Sequence, residues 1–265
     1  MISSSVKFLL NDKLIVIKNP DPNQTLLNYI RTELKKTGTK EGCSEGGCGA
    51  CTIVLGELVN NKIEYKAINS CISFVPTLNG KQLIIVEDLV SKNGQLHPVQ
   101  DAMVKFHGSQ CGFCTPGFVM SLFSMFKNNK SLNNELITDS ISGNLCRCTG
   151  YRPIIDAAKS LNKINKNDQF SKNKNKVIQQ LKKIKPKNVY IKKDDKIYFS
   201  PKNIKDLKNI IKKHSNFSFL AGGTDLSLKV TKERKEIPFI IDLKEINELD
   251  FIKVSKNYLE VGSAT

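Results

Sequence analysis

Eight cysteines provide the strongest chemical signal in this sequence, and they fall into two groups of four. The first group has the spacing C-x4-C-x2-C-x19-C and the second has C-x2-C-x31-C-x-C. Four thiolates at one site can hold a zinc ion or an iron–sulfur cluster. In a reducing compartment, such clustering favours metal or redox chemistry over structural disulfides. The candidate ligands are Cys43, Cys48, Cys51 and Cys71 in the first group, and Cys111, Cys114, Cys146 and Cys148 in the second.

The first group has the spacing of a plant-type [2Fe–2S] ferredoxin. Its loop, CSEGGCGAC, places Gly46, Gly47, Gly49 and Ala50 between the ligands. Such small residues let backbone N–H groups approach and hydrogen-bond cluster sulfurs, which a zinc ribbon does not need. We therefore interpret the first group as ligands of a [2Fe–2S] cluster, with zinc and a disulfide framework as the alternatives.

The second group is predicted to lie at helix ends. Thr115 and Pro116 have the pattern of an N-cap followed by a first-turn proline, which places Cys114 at a positive helix terminus that favours its thiolate. A disulfide between Cys146 and Cys148 would be strained, because only one residue separates them. We expect this pair to complete a second four-thiolate iron site with the two earlier cysteines of the group.

The elements that must position these cysteines divide the chain into four predicted parts. A strand hairpin, a helix capped by Thr25 and further strand-like runs predict a small α+β domain over residues 1–90. Four short helical patterns predict a helical bundle over residues 91–162. Residues 163–196 are predicted to be a Lys-rich linker, and residues 197–265 alternate helix and strand. The fold class is therefore α+β with several domains.

The net charge of +16 is concentrated near the predicted linker. Residues 159–196 contain 13 lysines and three acidic residues. Such a stretch is typical of a solvated connection, here with a short helix near residues 177–184. A patch that binds nucleic acid or an acidic partner is the alternative, but Phe170 is the one aromatic residue interleaved with the lysines in the core of this stretch.

Other sequence features exclude some functions. The apolar runs are too short to span a membrane, and the first ten residues lack a secretory h-region, so we expect a cytoplasmic protein. His97, His107 and His214 are expected to cap helices or lie at the surface. Because no Ser–His–Asp set or carboxylate pair stands out, we do not expect this chain to carry out a bond-making step.

Four longer segments identify a family resemblance. The sequences TGTKEGCSEGGCGACTIVL, NSCISFVPTLNGK, LHPVQDAMVKFHGSQCGFCTPGFVMSLFSMF and SGNLCRCTGYRPIIDA resemble the iron–sulfur half of the molybdenum hydroxylases, with the greatest similarity to small subunits of the bacterial xanthine dehydrogenase type. The resemblance covers about residues 5–160 and resumes at Phe217. It implies a β-grasp ferredoxin-like [2Fe–2S] domain, an all-α four-helix [2Fe–2S] domain and the N-terminal part of an α+β FAD-binding domain.

The resemblance also implies sites for two organic cofactors. Gln110 and Cys148 are expected to touch a molybdopterin held by a separate large catalytic subunit, although Gln110 could instead cap a helix. The glycine turn in FSFLAGGTDLSLKV, with Thr224 and Asp225 as possible caps of a following helix, is a weak pyrophosphate signal by itself. In the family a loop of this kind wraps the FAD pyrophosphate. The implied FAD residues are Phe219, Leu220, Ala221, Gly222, Gly223, Thr224, Asp225 and Leu226.

The expected function is that of an electron-transfer subunit of an oxidoreductase of the xanthine dehydrogenase type. The resemblance implies that the partner hydroxylates a purine, and that electrons pass through the Cys111 group, the Cys43 group and FAD to NAD. Two small and two large subunits are expected to form a heterotetramer, without nucleic acid or membrane. The alternatives are an aldehyde or N-heterocycle substrate and, more remotely, a zinc-dependent nucleic-acid-binding module. The FAD-binding part is expected to be incomplete and to retain FAD poorly.

Overall fold

Two mixed β-sheets, a short hairpin and eight α-helices build the fold, and the computed structural model describes residues 3–184 and 187–265. The strands are β1 Ser5–Leu10, β2 Lys13–Lys18, β3 Thr52–Val59, β4 Lys62–Asn69, β5 Gln82–Ile84, β6 Val189–Lys193, β7 Lys196–Ser200, β8 Ser218–Leu220, β9 Phe239–Asp242, β10 Ile252–Val254 and β11 Leu259–Val261. The helices are α1 Leu26–Asn28, α2 Pro98–Lys105, α3 Thr115–Asn128, α4 Asn134–Ile141, α5 Arg152–Ser160, α6 Gln169–Lys183, α7 Ile204–Ile211 and α8 Leu228–Thr231.

The first sheet has the order β2-β1-β5-β3-β4. Strands β1 and β5 run parallel at its centre, and its other neighbouring strands are antiparallel. The predicted hairpin β1–β2 is confirmed, and the Thr25 side chain accepts a hydrogen bond from the Asn28 amide as a helix N-cap should. Helix α1 continues as one turn of π-helix over Tyr29–Glu33. This arrangement agrees with the predicted ferredoxin-like α+β domain.

Both faces of the first sheet are buried. Along β3, Ile53 and Leu55 belong to the core on one face, whereas Val54 between them belongs to the core on the other. The same alternation separates Leu83 from Ile84 in β5. Because successive side chains of a strand point to opposite faces, the sheet can support a different neighbour on each side.

Helices α2 to α5 cover one of these faces. The central helix is α3, in which Phe118, Phe123 and Phe126 are fully buried. Helix α3 contacts both β3 and β4, so the helical domain lies directly on the sheet. No helix within the described residues is long and apolar enough to cross a lipid bilayer.

The segment predicted as a solvated linker is more ordered than expected. Helix α6 occupies Gln169–Lys183 and buries Phe170, Val177 and Leu181 in the core that the first sheet shares with the helical domain. These residues recur at intervals of seven and four, which gives a narrow apolar stripe beneath a lysine-rich surface. The amino-acid composition of the segment does not reveal this stripe, because only three residues of the helix are buried.

The structure has a third part, residues 187–265, that shares its core with the other face of the first sheet. Its sheet has the order β6-β7-β9-β8, with β9 parallel to both of its neighbours. Val189, Tyr198 and Leu220 pack in the same cluster as Phe8 of β1. The parts are also joined by hydrogen bonds, since Asn23 exchanges two with the Ile237 backbone at 2.7 and 3.0 Å.

Candidate functional site

The first cysteine group lies in the loop before β3 and in the short turn after β4. The Cys43 sulfur accepts hydrogen bonds from the Glu45 and Cys48 amides at 3.4 and 3.3 Å, and the Cys48 sulfur accepts one from the Cys43 amide at 3.3 Å. Cys51 and Cys71 are buried beneath them. The loop therefore turns back on itself around the sulfurs.

Small residues in this loop direct backbone N–H groups toward the sulfurs, as their positions predicted. The amides of Gly46, Gly47 and Ala50 lie close to the sulfurs of Cys71, Cys43 and Cys48 respectively, where each favours the thiolate. Gly46 has a φ of +78°, and a side chain there would meet Ile72. The conformation that gathers these N–H groups thus depends on glycine.

The four sulfurs of the first group approach one another in two pairs. A hydrogen bond from Cys71 lowers the pKa of Cys51 to about 7, and the same contact raises the pKa of Cys71. Cys43 and Cys48 form the second pair; burial would raise the pKa of Cys43, but the Glu45 amide and the Cys48 thiol outweigh it and lower that pKa. Burial raises the pKa of Cys48, so one thiol of each pair favours the thiolate and the other does not.

The second group lies where α3 and α5 begin. Cys114 itself is the N-cap residue of α3, so Thr115 occupies the first helical position and does not act as the cap predicted for it. The thiolate expected for Cys114 at this helix terminus is not favoured, because burial, followed by the nearby Cys146 thiol, raises the pKa of Cys114 to about 12. The Cys146 sulfur is 3.5 Å from the Thr149 amide, and the Cys146 amide donates to the Tyr151 hydroxyl at 2.9 Å.

The second group is also paired, with Cys111 next to Cys148 and Cys114 next to Cys146. All eight cysteines are free thiols, which argues against the disulfide alternative. A [2Fe–2S] cluster divides four thiolates between two irons, and the sulfurs of each group lie in two such pairs. Each group therefore fits a [2Fe–2S] cluster.

The two cysteine groups meet at a close backbone junction. The Leu145 amide donates to the Cys48 carbonyl at 2.9 Å, which joins the residue before Cys146 directly to a member of the first group. The Asn144 side chain donates to the Gly49 carbonyl at 3.0 Å and is buried. Sequence reasoning missed this junction, although Asn144 and Leu145 lie within one of the segments that carry the family resemblance.

Gly117 of α3 allows the junction to close. A Cβ atom at this position would collide with the Gly49 carbonyl oxygen and reach within 3.0 Å of the Asn144 side-chain nitrogen. The helical domain and the first cysteine loop are therefore in backbone contact, which a larger residue at position 117 would prevent.

The implied FAD loop leaves the carboxyl end of β8. Ligands of open α/β sheets bind beyond the carboxyl ends of parallel strands, and β8 is parallel to β9. Ala221 and Gly222 are exposed, and no atom lies within 4 Å of a Cβ placed on Gly222, so the backbone is open to a ligand. Gly223 has a φ of +81° and is buried against the Ile72 carbonyl. This open turn fits a flavin pyrophosphate.

The remaining implied FAD residues differ in exposure. Phe219, Thr224 and Asp225 are exposed, Leu226 is half-buried, and Leu220 is buried in the shared core. The helix cap expected at Thr224 or Asp225 is not formed. A series of turns follows Gly223, and α8 begins only at Leu228.

Gln110 is exposed beside Cys111, and within the part of the chain that the structure describes its side chain makes no hydrogen bond. The N-cap residue of the following helix α3 is Cys114, so Gln110 does not cap that helix. Both Cys111 and Cys148 are exposed, in contrast to the buried Cys51 and Cys71. The second group lies at the protein surface.

One of the three histidines, His97, belongs to a buried polar cluster. His97 caps α2, as expected, but it is buried and its Nε2 lies 2.9 Å from an Asp168 carboxylate oxygen. Lys127 contacts the same carboxylate at 2.7 Å. Sequence reasoning missed this buried cluster because its members are distant in the chain.

Three family descriptions match consecutive parts of the chain. Residues 8–76 match a 2Fe-2S iron-sulfur cluster binding domain, and residues 85–159 match a [2Fe-2S] binding domain. Residues 190–265 match the FAD binding domain in molybdopterin dehydrogenase. The chain belongs to the iron–sulfur and flavin part of the molybdenum hydroxylases. The predicted [2Fe–2S] and FAD domains of this family are thereby confirmed.

Individual molybdenum hydroxylases show the same similarity. Xanthine dehydrogenase from Blastobotrys adeninivorans is 52% identical over 159 residues, which cover 59% of this chain and 11% of that protein. Aldehyde oxidase 1 from Macaca fascicularis is 44% identical over 160 residues, 60% of this chain and 12% of that protein. Aldehyde oxidoreductase from Desulfovibrio gigas has a solved structure with a TM-score of 0.53 and 32% identity, covering 61% of this chain and 17% of that one. The matched segment is thus a small part of each of these relatives.

Proposed function

We propose that this chain carries electrons from a molybdopterin centre on a large catalytic subunit to FAD, by way of the two cysteine groups. The observation that carries the proposal is the hydrogen bond from the Leu145 amide to the Cys48 carbonyl, which couples the two groups through backbone atoms at 2.9 Å. Two [2Fe–2S] clusters would supply one-electron steps, and the flavin would combine them into two-electron chemistry.

The exposure of the two groups supports the order of transfer. The exposed sulfurs of Cys111 and Cys148 are available to a partner, so we assign the second group as the entry point. The first group adjoins the flavin loop, because the Ser227 hydroxyl donates to the Ile72 carbonyl at 2.7 Å. Ile72 directly follows the ligand Cys71. We therefore assign the first group as the donor to FAD.

The surface around the second group is suited to a protein partner. Phe113 and Leu145 are 47% and 57% exposed although they are apolar, and a groove of about 440 Å³ lined by Val104 and Pro116 lies beside it. Exposed apolar surface of this kind is typical of interfaces. Gln110 stands at the same surface, which supports its assignment, with Cys148, as a contact to the pterin of the large subunit.

For the substrate we propose xanthine, with NAD as the final acceptor, in a cytoplasmic assembly of two small and two large subunits. The relatives include xanthine dehydrogenases and aldehyde oxidases, so an aldehyde or an N-heterocycle is the second candidate. The chain covers about a tenth of these relatives, and the groups that select the substrate belong to the partner in this proposal.

The test is to purify this chain together with a molybdopterin-binding large subunit and to mix the complex anaerobically with xanthine, an aldehyde or an N-heterocycle. The correct substrate should bleach the visible cluster absorbance, and NAD added together with FAD should restore it. The matched control carries Cys146→Ser, which should retain the absorbance of the first cluster but lose substrate-dependent bleaching. A colourless complex that contains zinc instead of iron and sulfide would contradict the proposal.

A further inference from the structure

The segment Ser227–Lys232, which follows the implied flavin loop, lies directly on the first cysteine group. The Ser227 hydroxyl binds the Ile72 carbonyl, and Leu228 packs against the buried cluster that contains Cys51 and Cys71. The third part of the chain therefore covers this cysteine group as well as carrying the flavin loop.

Lys232 extends this contact to the outer pair of sulfurs. Its ammonium lies 3.3 Å from the Cys43 carbonyl oxygen and 3.0 Å from a Glu45 carboxylate oxygen. The Glu45 amide in turn donates to the Cys43 sulfur at 3.4 Å. One lysine from the third part of the chain thus contacts both ends of the turn that directs an N–H group at a ligand sulfur.

We infer that Lys232 is a positioning residue that holds the Cys43–Glu45 turn and raises the reduction potential of the cluster bound by the first cysteine group. The inference rests on the proposed function, because it requires a [2Fe–2S] cluster at that group. Reduction adds one negative charge to such a cluster, so a nearby cation stabilises the reduced form and a nearby anion destabilises it. Lys232 and Glu45 therefore act on the potential in opposite directions.

The lysine acts through charge and through geometry, and substitutions separate the two. Lys232→Gln should lower the potential of the first cluster, and Glu45→Gln should raise it. Lys232→Arg should keep the wild-type potential because it retains the charge. Both side chains of the pair are about half exposed, so the shift for Lys232→Gln should shrink as salt is raised.

Lys229 provides the matched control. It lies on α8, three residues before Lys232, it is exposed, and it makes no ion pair within the described residues. Lys229→Gln removes the same formal charge from the same segment but leaves the Cys43–Glu45 turn in place. It should shift the potential of the first cluster by much less than Lys232→Gln.

The measurement is an EPR series on the full 265-residue chain with both clusters, poised at successive potentials. The signal lost in Cys43→Ser identifies the first cluster, and the signal lost in Cys146→Ser serves as an internal reference. A shift in the first signal alone, in the predicted direction for Lys232→Gln and the opposite direction for Glu45→Gln, supports the inference.

If Lys232→Gln and Lys229→Gln shift the reduction potential of the first cluster equally, or if neither shifts it, the inference is overturned. The two assigned cluster signals and the proposed function would then remain intact. Absence of any signal that depends on Cys43 would overturn the proposed function and this inference together. If Lys232→Gln loses the first cluster, two other variants still test the inference. Glu45→Gln must raise the reduction potential of that cluster, and Lys232→Arg must leave it unchanged.

Discussion

Asp168→Asn should release helix α6 from the helical domain. The Asp168 carboxylate is 4% exposed and accepts hydrogen bonds from Lys127 Nζ at 2.7 and 2.9 Å, while His97 Nε2 lies 2.9 Å away. Asparagine keeps the side-chain oxygen that caps the Ser171 amide at 2.8 Å, so the helix cap is preserved. The Lys127 side chain is 6% exposed and would lose its counter-charge. Leaving a buried charge unpaired costs about 3–5 kcal/mol.

The assay is native-state hydrogen exchange of peptides that cover α6. A loss of about 3–5 kcal/mol corresponds to roughly a 140- to 4,000-fold fall in protection, since 1.4 kcal/mol is a factor of ten. Asp101→Asn is the matched control, because Asp101 pairs with Lys105 at 2.6 Å on the exposed surface. An exposed pair contributes about 0–1 kcal/mol, so this variant should leave α6 unchanged.

A double variant distinguishes the ion pair from other effects of the substitution. Adding Lys127→Met to Asp168→Asn removes the unpaired charge and should recover part of the lost protection. If Asp168→Asn leaves the protection of α6 within about threefold of wild type, the ion pair does not hold the helix, and the reasoning from burial and contact distance is refuted.

The same carboxylate should make the attachment of α6 depend on pH. Burial would raise the pKa of Asp168, but hydrogen bonds from His97 and Lys127 outweigh burial and lower the pKa well below its ordinary value. The stabilisation is therefore complete above the unfolded-state pKa of about 3.9 and is lost as pH falls through the lower folded-state value. The hydrogen-exchange protection of α6 should be higher in wild type than in Asp168→Asn in the same buffer, and this ratio should decrease as the pH is lowered below about 4. A ratio that increases in acid would contradict the prediction.

Three further outcomes test the cysteine groups and their junction. Cys43→Ser should remove one reduced-cluster EPR signal and Cys146→Ser the other, and loss of both signals from either variant with the fold intact would argue against two independent sites. Gly117→Ala should destabilise the protein by about 1–3 kcal/mol in chemical unfolding because its Cβ meets the Gly49 carbonyl, whereas alanine in an unobstructed helix position would stabilise it. Gln110→Ala should slow electron transfer from substrate to the clusters in the assembled complex without loss of iron, and an unchanged rate would remove its assigned contact to the pterin.

Local features of the fold could be predicted from the sequence because their signals lie within a few residues. The β1–β2 hairpin, the Thr25 cap and the helices of the second domain follow from turn residues, capping residues and apolar spacing. The grouping of the cysteines also followed from spacing, and the structure brings each group together. The assignment of these residues as cluster ligands stays a prediction.

Features that depend on contacts between distant residues could not be predicted. Strands β1 and β5 pair in parallel across more than 70 residues, and Asp168 meets His97 across 71 positions. The cap expected at Thr224 is absent because packing of Gly223 and Ser227 on Ile72 decides where the turn ends. The residue types of a turn indicate which conformations the turn can adopt. Packing against residues distant in the sequence determines which of these conformations forms.

The double burial of the first sheet has a consequence for protein engineering. A stand-alone ferredoxin can expose one face of its sheet to water, but removing the helical domain here would expose Leu9, Val54, Tyr65 and Ile84 together. Removing the third part would uncover the opposite face, including Phe8. Transplanting this domain as an independent redox module therefore requires polar replacements on both faces of the sheet, and each replacement must leave the cysteine loop at its edge undisturbed.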